Sequence, residues 1–243
     1  MGAFDQLVGV SQYTSYPPGV SRLPTVGGWT NPDYEKLVAL RPDLVFVDEA
    51  QATFVADQCK QLGLRLMTVA DKKVADVYTA ITAIGQATGH QAEAARLLQT
   101  TRGALLRVSQ NTAALPKPKV VLIVDRTPGT LRDLYTATAG SYLAELVEIA
   151  GGRIAVSPDK IGYAKLSKED LLAIDPDVIL DFTHGAVGKF TGDSMEAWSE
   201  MPELKAVRTH RVREVNEDYV PHASQRIVQT AELFARLIHP EAK

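Results

Sequence analysis

Short apolar runs alternate along the chain with stretches whose apolar residues recur every three or four positions. The runs at residues 7–10, 44–47, 64–69, 120–124, 178–181 and 212–215 predict strands, because they are brief, β-branched and bounded by turn residues. The stretches at 34–40, 53–62, 74–88, 140–150, 168–174 and 224–238 predict helices. Such alternation predicts an α/β fold with parallel strands. A further helical pattern fills 91–114, with Ala94, Leu97, Leu98, Ala104, Leu105 and Val108 near one stripe, until Pro116 and Pro118 stop it. At about 1.5 Å per residue this stretch is about 36 Å long, enough to join two lobes. One sheet with a long surface helix is the alternative.

A duplication favours two lobes. The segment that carries Trp29, Glu35, Pro42 and Asp43 returns 134 positions later, without a gap, with Tyr163, Glu169, Pro176 and Asp177. Both copies read as aromatic loop, short helix, Pro-Asp turn and buried strand. Each proline blocks continuation of its helix and each aspartate opens a strand, so the string also has a local reason. The expected organisation is an α/β lobe over 1–88, a bridging helix over 89–114 and a similar parallel-sheet lobe over 115–243, with a ligand cleft between the lobes.

The 243 residues are 45% hydrophobic and 23% charged, which excludes disordered, collagen-like and membrane-spanning classes. With 26 Lys and Arg scattered against 29 Asp and Glu, no basic footprint for a nucleic acid exists. The single cysteine, Cys59, excludes an intrachain disulfide and a multi-cysteine metal site, and its helical setting predicts a buried apolar thiol. His90, His184, His210, His222 and His239 are too widely spaced for a metal-binding helix or ribbon. His90 reads as a helix-start residue and His239 as a helix-end cation favoured by the dipole. No nucleophile elbow, phosphate loop or dinucleotide fingerprint is present, so the expectation is a protein without catalysis. The first residues lack the basic start and apolar run of a secretory signal.

Several strings then occur in a telling order: Leu7-Val8-Gly9-Val10-Ser11, Tyr16-Pro17-Pro18, Val26-Gly27-Gly28, Leu40-Arg41-Pro42-Asp43-Leu44-Val45, Ala139-Gly140-Ser141 and Leu237-Ile238-His239-Pro240-Glu241. Over nearly its whole length the chain resembles the substrate-binding proteins of bacterial ABC importers for cobalamin, haem and ferric siderophores. Within that group the run from Gly9 to Pro18, followed by Trp29, is similar to the vitamin B12 binders. The resemblance implies two α/β lobes bridged by one long helix, and cobalamin as transported ligand rather than as cofactor. It also implies an ABC transporter permease dimer as partner, a monomer in solution, and a periplasmic or membrane-anchored extracellular location. Haem or a ferric siderophore is the alternative ligand. A bilobal enzyme or chelatase using His184 and Asp181 as proton carriers is the distant alternative. Proteins of this group begin with a strand and helix ahead of the segment that starts here at Gly2, so the first lobe is expected to lack its opening strand.

A corrinoid or porphyrin offers a broad apolar face, which calls for aromatic planes with a few polar groups at the rim. The aromatic candidates are Tyr16, Trp29, Tyr163 and Tyr219; Trp29 reads equally as a core residue. Asp181, Phe182 and His184 follow a predicted strand at the carboxyl edge where ligands of open parallel sheets bind, with Asp48 and Glu49 as first-lobe counterparts. Phe182 and His184 are rim candidates, and His222 is placed to face ligand. Glu35 and Glu169 occupy the first turns of equivalent helices, where the dipole favours a carboxylate. The resemblance adds a second role, docking to arginines of the importer from either side of the cleft mouth.

Overall fold

Helix starts and stops in the first half of the chain are set by polar caps and left-handed residues. The computed structural model describes residues 1–156, 162–182 and 194–241. Asp33 accepts a hydrogen bond from the Lys36 N–H and so caps helix α1 (Tyr34–Leu40), which ends where Arg41 turns to φ 48°. Strand β1 (Val45–Asp48) follows, and Asp48 caps helix α2 (Glu49–Gln61) by accepting from the Gln51 N–H. Strand β2 (Leu66–Val69) lies parallel to β1, with Val45 opposite Leu66 and Asp48 opposite Val69. Helix α3 (Val74–Ala87) comes next, then the long helix α4 (Gln91–Thr112).

The core under β1 is built from Val47, Val55 and Cys59, flanked by Tyr34, Val45, Ala52, Leu64 and Leu66. Burial pushes the Cys59 thiol up, so it sits there as an inert apolar group. Residues 7–10 form no ladder; Val10 makes a single bridge to Thr25 instead. Leu7 is occupied in ending a short 3₁₀ turn, and Pro24 has no N–H with which to extend the pairing.

The second half holds one mixed sheet. Its strands are β3 (Lys119–Asp125), β4 (Leu134–Ala137), β5 (Arg153–Ile154), β6 (Tyr163–Leu166), β7 (Val178–Asp181) and β8 (Val212–Glu214). The order is β6-β4-β3-β7-β8, with β5 paired to the start of β3. Strands β7 and β8 run parallel to β3 as the alternation predicts, whereas on the other side β4 pairs antiparallel with β3 and the edge strand β6 pairs antiparallel with β4. Helices α5 (Tyr142–Ile149), α6 (Lys168–Ile174), α7 (Ser194–Trp198), α8 (Lys205–Arg208) and α9 (Ile227–Ile238) complete it. Val121, Ile123, Leu171, Ile179, Trp198 and Leu204 belong to its continuous core.

The chain divides into two compact units, Met1–Asp71 with Ala75–Leu98, and Lys72–Val74 with Gln99–Lys243. Helix α4 crosses from one to the other without a break and, at about 1.5 Å per residue, is about 33 Å long. The sheets are separate. Among the described residues no helix is long and apolar enough to cross a membrane.

The duplication is present in the backbone itself. Cap Asp33 matches cap Ser167, α1 matches α6 residue for residue, and the left-handed Arg41 (φ 48°) matches Asp175 (φ 43°), each pair 134 positions apart. Leu37 and Leu171 are the buried residue of each helix.

One expectation fails by burial. His239, at the end of α9, is enclosed, and Gly151 (φ 81°) lies so close that a Cβ there would stand 2.7 Å from its Nε2. Desolvation pushes the imidazole below the usual histidine value, so the ring is neutral rather than a cation serving the helix dipole. The unfolded chain takes up this proton near pH 6.5 while the folded chain resists it, so stability is lost as pH falls through that value toward the lower folded pKa. The stability gap between the parent and His239→Gln, from thermal melts, therefore narrows between pH 7 and pH 5. A gap independent of pH means the folded ring takes up its proton as readily as the unfolded one.

Candidate functional site

Trp29 sits on a loop that only glycine could form. Gly27 has φ 86°, and a Cβ there would meet the Asn31 carbonyl and Asp33 nitrogen at 2.7 Å. The loop lifts Trp29 to the carboxyl end of β1, where the indole Nε1–H donates to Asp48 Oδ2 at 2.7 Å. Gln51, in the first turn of α2, donates from its side chain to the Trp29 carbonyl at 2.9 Å. Asp48 thus holds the helix with one oxygen and the indole with the other. Trp29 remains 36% exposed, and the edge of Phe54 meets its ring at 5.4 Å between centroids, at 61°. Trp29 is therefore a fixed, partly open aromatic and not a core residue. In the same unit Tyr16 is exposed, before a cis bond to Pro17.

In the second unit Tyr163 opens β6 instead of lying in a loop. It pairs with Ala137 and leaves its ring exposed. Tyr219 is half-buried under the guanidinium of Arg226, which lies 4.7 Å from the ring centroid and pairs with Asp218 at 3.1 Å. Burial pushes the Tyr219 phenol up. His222 is exposed one turn further on, its N–H donating to the Tyr219 carbonyl at 3.2 Å, so these two residues share one turn. His184 lies outside the described residues.

Phe182 and Asp181 depart from expectation. Phe182 is 6% exposed, because the ladder continues past β7 and its N–H donates to the Ile123 carbonyl at 2.8 Å; it belongs to the interior, not to a rim. Asp181 ends β7, buried against Arg126, whose Nε and Nη2 reach it at 3.1 and 3.0 Å, while the Trp198 indole donates to it at 2.7 Å. A carboxylate committed to a buried guanidinium and an indole holds the sheet end together. Arg126 is not legible in the sequence because arginines are rarely buried; the one hint is its place just past the apolar run at 120–124.

Glu35 and Glu169 occupy the second position of α1 and α6, and both are exposed. Neither is the cap, since Asp33 serves α1 and the reciprocal Ser167–Asp170 box serves α6. Among the described residues neither glutamate side chain has a hydrogen-bond or ion-pair partner. Three residues on, Val38 and Leu172 are 43% and 42% exposed on the same helix faces. Among the described residues no cluster of three or more His, Cys, Asp or Glu could hold a metal.

The family model described as periplasmic binding protein matches residues 1–219. An uncharacterized ABC transporter substrate-binding lipoprotein of Bacillus subtilis, YvrC, is 29% identical over 248 residues, covering 99% of this chain and 76% of that protein. A vitamin B12-binding protein of Salmonella paratyphi A is 24% identical over 225 residues, covering 92% of this chain and 79% of that one. Among solved structures, a periplasmic heme binding protein from Pseudomonas aeruginosa has the same fold, with TM-score 0.85, 23% identity and coverage of 100% and 88%.

Proposed function

Because the chain belongs to the periplasmic binding protein family, we propose that it captures a cobalamin-like corrinoid outside the cytoplasm and delivers it, unaltered, to an ABC importer. The observation that carries the ligand class is Trp29, an aromatic plane fixed at the carboxyl end of β1 and left open to solvent. The likeness to a vitamin B12-binding protein supports a corrinoid; the haem-binding neighbour shares the fold, which many ligands use. Titration of the purified chain with cyanocobalamin should give one site per chain and return the vitamin chemically intact. Turnover of the vitamin would make the protein an enzyme instead. Trp29→Ala should weaken binding by about 1–3 kcal/mol, the cost of a lost aromatic hot spot. Unchanged affinity would move the site elsewhere.

Docking to the importer completes the proposal. Glu35 with Val38, and Glu169 with Leu172, repeat one small surface on both units: an unpaired carboxylate beside an exposed apolar group. A symmetric permease dimer that offers an arginine twice fits such a repeat, since an Arg–carboxylate contact is bidentate and orienting.

A further inference from the structure

The chain has two tryptophans, and each donates its indole N–H to the aspartate that ends the strand after a duplicated helix. Trp29 reaches Asp48 and Trp198 reaches Asp181, both at 2.7 Å. The second pair is buried with Arg126 and serves the core. The first is left half open, and beside it stands Phe54, 60% exposed and touching the indole edgewise.

Three hydrogen bonds fix this open pair: Asp48 to the indole, Asp48 to the Gln51 N–H, and the Gln51 side chain to the Trp29 carbonyl. Both the ring and the backbone of Trp29 are thereby tied to the first turn of α2, one turn before Phe54. Apolar area left in water forfeits about 25 cal/mol per Å², so two large aromatic faces held rigid and uncovered are preorganised for an apolar partner. With its indole N–H consumed by Asp48, the Trp29 ring offers a face and no hydrogen bond. That suits a flat macrocycle and not a polar chelate read through donors.

We infer that Phe54 joins Trp29 in an angled aromatic ledge that takes the apolar face of the transported corrinoid, with Asp48 and Gln51 as its positioning residues. This rests on the corrinoid reading above. Phe54→Ala removes an exposed ring and leaves the fold intact, so its effect reads on the ledge alone. Its affinity for cyanocobalamin falls about tenfold, the size of a lost contact anchor. Leu62→Ala, an exposed apolar residue at the far end of α2, keeps parental affinity. Asp48→Ala weakens binding as well, and abolishes the near-ultraviolet circular dichroism band that Trp29→Phe identifies as Trp29's, with the far-ultraviolet spectrum unchanged. Parental affinity in Phe54→Ala, while Trp29→Ala loses binding, overturns the ledge and spares the corrinoid reading. An equal loss in Leu62→Ala, or a retained Trp29 band in Asp48→Ala, also overturns it. Parental affinity in Trp29→Ala overturns both.

Discussion

Asp181→Asn destabilises the second unit by about 3–5 kcal/mol, the cost of leaving a buried charge without its partner. The replacement keeps an oxygen for the Trp198 indole but withdraws the negative charge from Arg126, whose guanidinium is sealed among β3, β7 and α7. Water cannot reach the guanidinium without opening the sheet end. Against a total of about 5–15 kcal/mol for an ordinary domain, this is a large fraction. Urea denaturation followed by far-ultraviolet circular dichroism measures it. Arg126→Met combined with Asp181→Asn should lie closer to the parent than Asp181→Asn alone, because removing both charges removes the orphan. A single variant within about 1 kcal/mol of the parent would mean that solvent already screens the pair, as at exposed sites.

Glu35→Gln with Glu169→Gln abolishes uptake while leaving ligand affinity unchanged. Glutamine keeps the size and much of the hydrogen-bonding capacity of glutamate but cannot form the charge-assisted fork to arginine. The helices themselves lose little, since Asp33, Ser167 and Asp170 carry the caps and the lost dipole contribution is about 0.3–1 kcal/mol per site. Uptake of labelled cyanocobalamin by cells expressing this chain with its importer, beside titration of the purified variant, separates the two functions. Intact uptake would return both glutamates to a purely local role in their helices.

The duplicated segment was the most legible part of the sequence, down to the ends of α1 and α6, because the polar caps and the Pro-Asp turns that bound those helices are local chemistry. Strands β4 and β6 were not legible. Each has four residues and pairs antiparallel, so nothing local distinguishes Tyr163-Ala164-Lys165-Leu166 from the loop that its repeat counterpart Trp29 occupies. Phe182 reads as a rim residue because it follows a strand at the carboxyl edge where ligands of open parallel sheets bind, yet here the ladder runs one residue further. Trp29 was legible through Gly27 and Gly28. Phe54 was not, since one aromatic in a polar helix carries no periodic signature; its meaning lies in the Asp48 and Gln51 contacts that bring Trp29 beside it.

Parallel calorimetric titration with cyanocobalamin, haemin and a ferric siderophore decides whether a flat apolar macrocycle of the corrinoid type is the cargo. One site per chain is expected, tightest for cyanocobalamin and weakened by Trp29→Ala. Tighter binding of haemin or of the ferric siderophore would contradict it.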